Sequence, residues 1–214
     1  MPLNKFEKIK LNLRSWLQGR AEADPEYFVA LEAFDFVERL TAGEFRKNGK
    51  DPEFSHMLQV AQLARTYARY LLRPAQTIAA AILHDIMEDK GVAMKKMVEL
   101  FGQEIADVVW RLTKKFRGVV KPMEVYFREI AKCPIASVIK GLDRITNVRT
   151  MLDVFKLSKQ KSYAQEVVDL FLPMLKAARR RFPQQEALYE NIKMILESML
   201  ELYGAIHSGR PQPA

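Results

Sequence analysis

A single cysteine, Cys133, in 214 residues excludes an intrachain disulfide and any multi-cysteine zinc site. Histidine is almost as scarce: His56, His84 and His207 are all there are, so a site built on imidazole must draw on these. No apolar run approaches the roughly 20 residues that span a bilayer. The amino-terminal Met-Pro-Leu-Asn-Lys-Phe-Glu-Lys alternates charged and apolar residues and lacks the continuous apolar segment of a secretory signal. No period-two stretch longer than a few residues marks a strand. No internal repeat, low-complexity block or interdomain linker is visible. These absences point to a protein of the reducing cytoplasm with no membrane partner.

What is present is helix punctuation. Asp24-Pro25-Glu26 and Asp51-Pro52-Glu53 each offer an Asp N-cap, a proline at the first helical position and a glutamate in the first turn. Arg73-Pro74 and Cys133-Pro134 are further helix starts. Asn48-Gly49 marks a turn, so Phe45 to Asp51 is expected to be a loop. The spacing predicts helices over about 26–43, 53–70, 75–88, 94–100, 102–115, 122–132, 135–149, 157–180 and 184–205, with Pro173 kinking the eighth. The expected architecture is all-α, with residues 1–206 as one helical bundle (core about 35–175) carrying extra helices at each end and 207–214 a disordered tail.

At 49% hydrophobic and 28% charged, the composition is that of an ordinary soluble globular protein. Lys plus Arg is 34 against 26 Asp plus Glu, a net +8 that suits an anionic partner such as a nucleotide, with nucleic acid a less favoured one. Part of the surplus is local, in Lys114-Lys115-Phe116-Arg117 and Arg179-Arg180-Arg181, where solvated cations at helix C-termini are the plain reading. Ten methionines read as adaptable core filler. Trp16 and Trp110 are expected in the core or against the amino-terminal helix, and Cys133 gives no reason to propose a nucleophile.

The segment that carries chemistry is Ala79-Ala-Ala-Ile-Leu-His84-Asp85-Ile-Met-Glu88-Asp89. It reads as a buried helix ending in one imidazole and three carboxylates. Buried charge needs a counter-charge, and a divalent cation is the simplest one for imidazole nitrogen and carboxylate oxygen together. On a helix His84 shares a face with Glu88, and Asp85 with Asp89. His84 and Asp85 point about 100° apart, so both reach one ion only near a helix end. His56, one turn into its helix, is the other available imidazole, whereas His207 falls in the tail. Alone, His56 would more often be a hydrogen-bonded structural histidine; beside His84-Asp85 it reads as a ligand. A fourth ligand is Asp143, flanked by Ile139, Leu142 and Ile145, although a surface pair with Lys140 or Arg144 would also account for it. Arg144 and Asn147 lie where a metal-bound substrate could meet them.

The order His56 … His84-Asp85 … Asp143 resembles the HD metal-dependent phosphohydrolase superfamily. The narrower form His84-Asp85-x-x-Glu88-Asp89 resembles the guanosine tetraphosphate/pentaphosphate (ppGpp) hydrolase domain of the RelA/SpoT type and the small stand-alone hydrolases of that group. Phe101-Gly102 to Thr113-Lys114 and Leu142-Asp143-Arg144 to Arg149-Thr150 fit the same pattern, over roughly residues 35–175. The resemblance implies that His56, His84, Asp85 and Asp143 hold one Mn²⁺, and that Glu88 and Asp89 position and deprotonate water. It further implies that Arg46, in a basic loop with Lys47, packs against guanine, and that Asn147 touches ribose or phosphate. The substrate implied is an anionic nucleotide whose 3′-diphosphate is released as pyrophosphate. Three departures stand out: Met57 replaces a proline after the first histidine, Thr146 replaces a histidine, and Gly49-Lys-Asp-Pro-Glu-Phe replaces Gly-Glu-Pro-Tyr. No candidate synthetase region follows residue 181. Other nucleotide phosphohydrolases of the superfamily, acting on deoxynucleotides, nucleoside monophosphates or cyclic nucleotides, share the metal set. A basic helical binder of RNA or protein with a relic metal site is the non-enzymatic alternative. Oligomeric state is not encoded in any feature of the sequence.

Overall fold

Pro74 opens the helix on which the molecule is built. A proline at the first helical position surrenders no intrahelical bond, and the nine residues that follow it in α4 (Pro74–Leu83) are all buried. The run of small side chains at Ala79, Ala80 and Ala81 lets neighbours approach closely, and α4 packs directly on α2 (Phe28–Leu40), α3 (Phe54–Thr66), α6 (Met94–Leu112) and α8 (Pro134–Val154). The computed structural model describes residues 3–46 and 48–207. The remaining helices are α1 (Lys5–Ala23), α5 (Ile86–Lys90), α7 (Met123–Ala131), α9 (Leu157–Glu166), α10 (Leu172–Arg181) and α11 (Glu186–His207). Among the described residues the strand content is one antiparallel hairpin, β1 (Lys115–Phe116) with β2 (Val119–Val120). The all-α expectation holds, including the extra helix at each end.

Local chemistry explains most boundaries. Asn4 and Glu7 close a reciprocal capping box at the start of α1. Asp24 accepts the Glu26 amide at 3.1 Å, but it caps a short 3₁₀ turn, Pro25–Tyr27, ahead of α2. Asp51 is not an N-cap: its carboxylate accepts from the Asn48 side chain at 2.7 Å, and α3 begins only at Phe54. Gly102, at φ 78°, kinks α6 where the sequence suggested two helices. Pro173 has no N–H and would clash with the carbonyl four residues back. A π-helical stretch, Val167–Phe171, precedes it and supplies the wider turn.

Several expectations need correction. The helix expected over 75–88 stops at Leu83 and resumes at Ile86. Helix α6 ends at Leu112, so Lys114 to Arg117 belong to the hairpin and its turn and do not form a solvated helix end. Arg179 to Arg181 do occupy the last turn of α10. Trp16 meets Tyr27 edge-on, and Trp110, partly exposed, meets Phe116 of the hairpin edge-on. His207 is the last residue of α11 and is not part of a tail. Lys47 and residues 208–214 lie outside the described residues.

On α8, a Cβ at Gly141 would sit 2.8 Å from Cγ2 of Ile192 and 3.3 Å from Leu175. That close approach seats α11 and α10 against the helix that carries Asp143. The branched side chain of Gly141→Val therefore overpacks this contact and should lower stability by about 1–3 kcal/mol, measured by urea unfolding.

Candidate metal centre and catalytic cleft

Helix α3 contributes His56, the α4–α5 junction contributes His84 and Asp85, and α8 contributes Asp143. These helices pack directly on one another. At the junction His84 (φ −58°, ψ −31°) keeps regular helical dihedrals, while Asp85 (φ −99°, ψ −6°) sits at the edge of the right-handed region, in a turn between α4 and α5. This irregularity removes the divergence that an unbroken helix imposes, and both side chains face His56.

His56 Nε2 lies 3.0 Å from Asp143 Oδ1, 3.3 Å from His84 Nε2 and 3.6 Å from Asp85 Oδ2. His84 Nε2 lies 3.1 Å from Asp85 Oδ2 and 3.8 Å from Asp143 Oδ1. First-row cations bind such donors at about 2.0–2.2 Å, which places neighbouring donors roughly 3.0–3.6 Å apart. His56, His84 and Asp143 offer donor atoms that all lie within 4.8 Å of one another and could hold one such ion, with Asp85 facing both imidazoles from the cleft side. His56, His84 and Asp143 are buried, while Asp85 opens onto a cleft of about 530 Å³.

The surroundings orient these donors. His84 Nδ1–H donates to the Ala81 carbonyl at 2.7 Å, which leaves Nε2 facing the site. The Thr146 hydroxyl donates to the Asp143 carbonyl at 2.8 Å and is the polar atom facing His56 Nδ1, at 3.5 Å. Asp143 Oδ1 also accepts from Asn147 Nδ2 at 2.6 Å, and its Oδ2 accepts from Lys140 Nζ at 3.1 Å. The Asp143–Lys140 pair therefore exists, but it lies inside the molecule. Burial opposes ionisation of Asp143; Lys140 and both imidazoles outweigh it and hold the carboxyl well below the usual range. Burial likewise opposes charge on His84, yet Asp85 and then Asp143 push it up to about 9. The Lys140 pKa is raised despite burial, by the Tyr126 phenol, Asp143 and Asp85.

Glu88, Asp89, Asn147, Arg144 and Arg46 line the same cleft. Glu88 Oε2 accepts the backbone amides of Lys114 at 2.6 Å and Lys115 at 3.2 Å. Asp89 is pushed up to about 6 by burial and by the negative charges of Asp85, Glu53 and Glu88. Arg46 is half-buried at the rim. Arg144 differs from its expected role: it is buried, paired with Glu166, and lies over the rings of Tyr163 at 3.9 Å and Phe171 at 4.0 Å. Its buried Nη1 has no hydrogen-bond partner among the described residues. Lys140 reads from sequence only as a surface partner of Asp143, and Lys159 and Tyr163 are not singled out. Lys140 had a signal, its i,i+3 spacing from Asp143; Lys159 and Tyr163 lie in an unremarkable polar helix.

Comparison with known proteins agrees with this geometry. Residues 33–118 match the HD domain family model. The chain carries an HD domain. A Synechocystis sp. protein named a probable guanosine-3′,5′-bis(diphosphate) 3′-pyrophosphohydrolase is 33% identical over 165 residues, 73% of this chain and 21% of that protein. A guanosine-3′,5′-bis(diphosphate) 3′-pyrophosphohydrolase of Aquifex aeolicus is 32% identical over 148 residues, 66% of this chain and 20% of that protein. The chain thus spans about a fifth of the length of these curated relatives. A solved structure of a metazoan ortholog of SpoT that hydrolyzes ppGpp superposes with a TM-score of 0.62 at 18% identity, over 82% of this chain and 96% of that one. At that identity the likeness shows the HD-domain helical fold. Among the described residues no helix is long and apolar enough to cross a membrane.

The linked charges set a pH signature for the metal-free HD domain. A histidine whose pKa is raised on folding stabilises fully below its unfolded value of 6.5 and loses that contribution as pH rises through about 9. Thermal unfolding of metal-stripped protein should therefore shift to lower temperature between pH 6.5 and 9. A bound divalent ion, which takes the place of the proton, should suppress the shift.

Proposed function

We propose that this cleft hydrolyses guanosine tetra- or pentaphosphate at its 3′-diphosphate in the presence of Mn²⁺, releasing pyrophosphate and GDP or GTP. The reading rests on the donor atoms of His56, His84 and Asp143, which lie within 4.8 Å of one another, with Asp85, Glu88 and Asp89 lining the same cleft. The names of the relatives from Synechocystis and Aquifex support the choice of substrate.

A divalent ion held by the four residues supplies Lewis acidity and lowers the pKa of water near neutrality. The chain supplies the rest. In-line attack forms a bond from the water oxygen to the phosphorus attached at the ribose 3′ oxygen. The bond from that phosphorus to the 3′ oxygen breaks, pyrophosphate departs, and the 3′ oxygen of GDP or GTP takes up a proton from solvent. Asp89 is the general base that takes the water proton. Its raised pKa and place in the cleft suit that work. Lys114 and Lys159, which also line the cleft, balance phosphate charge. Arg46 stacks on the guanine from the rim, and Asn147 holds Asp143 while its other side meets the ribose. The net +8 favours encounter with a highly anionic nucleotide.

Incubation with ppGpp and with its adenine counterpart, with and without Mn²⁺, is the direct test. Pyrophosphate and GDP should form from ppGpp only when the metal is present. Inorganic phosphate release, or turnover confined to deoxynucleotides or cyclic nucleotides, would overturn the reading. His84→Ala and Asp85→Ala should each abolish stoichiometric metal binding and lower kcat by about 10²–10⁴, the several kcal/mol that metal catalysis contributes. Asp89 works ionised, so the rate should rise with pH through its pKa. That limb lies below about 6 in the loaded enzyme, because a nearby dication favours the carboxylate.

A further inference from the structure

Helices α7 and α10 leave an apolar groove between them, of about 570 Å³, outside the metal-bearing cleft. Phe127, Leu170 and Met174 form its floor, and the small side chains of Ala131 and Ala177 leave it open above. The two helices run in the same direction. Pro134, just after α7, lies beside the chain just after α10, where Gln185 Nε2 donates to the Pro134 carbonyl at 3.2 Å. Toward the other end, Phe127 meets Phe171 with ring centroids 4.8 Å apart. Charge is sorted along that direction. Glu124 and Asp169 stand where the helices begin; Lys132, Arg180 and Arg181 stand where they finish, with Arg128 between. Arg128 and Lys132 share Glu129, and Arg179 is paired with Glu190. Arg180 and Arg181 have no ion pair among the described residues. Solvation at a helix C-terminus accounts for such cations, but not for the apolar floor beside them.

The groove is open to solvent along the stretch of chain from Leu170 to Arg181, roughly 16 Å at helical rise. A small nucleotide, which needs about 70–90% of its surface buried, would lie too exposed there. A nucleic-acid backbone is negative along its whole length, and Glu124 and Asp169 would repel it. A helix fits, because apolar side chains at i, i+3, i+4 and i+7 reach a floor of this shape. Laid antiparallel to α7 and α10, it sets its N-terminus against their C-termini, where the dipoles attract. Carboxylates in its first turn stabilise that helix and also meet Arg180 and Arg181. We propose that the α7–α10 groove docks an amphipathic helix of another protein, acidic in its first turn and antiparallel to both walls. The proposal is independent of the nucleotide assigned to the cleft.

The probe is a synthetic peptide of about four helical turns, with glutamates in its first turn and leucines at i, i+3, i+4 and i+7. Fluorescence anisotropy with the full chain reads its binding. Wild-type protein should bind it with a Kd below about 100 μM, and Arg180→Glu/Arg181→Glu should weaken binding about tenfold or more. Ala177→Trp, at an exposed position, should weaken it by about as much by filling the groove, with the helical circular dichroism of both variants unchanged. A peptide of the same composition with its glutamates in the last turn should bind about tenfold more weakly. Equal affinity for the two peptides would overturn the proposal, as would binding indifferent to these substitutions or no binding at about 1 mM peptide. Displacement of the peptide by ppGpp would assign the groove to a nucleotide. Concentration-dependent dimerisation lost in Arg180→Glu/Arg181→Glu would assign it to a second copy. Either result overturns docking of another protein's helix.

Discussion

Two buried imidazoles face the buried Asp143 carboxylate and, on the cleft side, Asp85, and that crowding governs the rest of the molecule. Two like nitrogens 3.3 Å apart, each also facing carboxylate oxygens, cannot all be satisfied by one proton. One divalent ion would relieve that competition among His56, His84 and Asp143. Without it, the protein depends on protonated His84 and buried Lys140 to balance Asp85 and Asp143. Burying charge is tolerable only where the partners are fixed in place. Here the fixing is done by an alanine-rich helix that its neighbours approach closely, by the Ala81 carbonyl behind His84, and by Gly141, which lets α11 seat the helix bearing Asp143.

The interruption after Leu83 is the local counterpart of this constraint. In an unbroken helix, consecutive side chains diverge by about 100°. The chain gives up regular helical geometry at Asp85, and the gain is that His84 and Asp85 meet within 3.1 Å. Helix α5 then restarts and carries Glu88 and Asp89 onto the cleft wall before Gly91, at φ 64°, ends it. Groups facing His56 and groups on the cleft wall are thus sorted by a single break in one short segment.

Much of this was legible in the sequence because it depends on residue type. Prolines at the first helical position, the Gly102 break and the apolar spacing located most helices. The scarcity of histidine reduced the imidazole ligands to two candidates. What was not legible depends on tertiary distance. Nothing in Lys140 distinguishes a surface lysine from one buried against Asp143. Arg144 looks like a substrate contact by adjacency, yet its guanidinium is held between Glu166 and two aromatic rings contributed by a later stretch of chain. The Lys114–Arg117 cations read as a helix end because too few residues follow Leu112 to show a strand period. The hairpin is specified by a turn and by contacts from α5.

Thr146 shows how a departure from family wording can leave the chemistry intact. A histidine at that position would add an imidazole near the site, whereas threonine offers one hydroxyl. The hydroxyl spends its proton on the Asp143 carbonyl, so toward His56 it is an acceptor. An acceptor facing Nδ1 favours the tautomer with its proton there, which frees Nε2 for the cation. His84 reaches the same state through a backbone carbonyl. The two imidazoles are therefore oriented by different means toward one end, and neither means requires a histidine at residue 146.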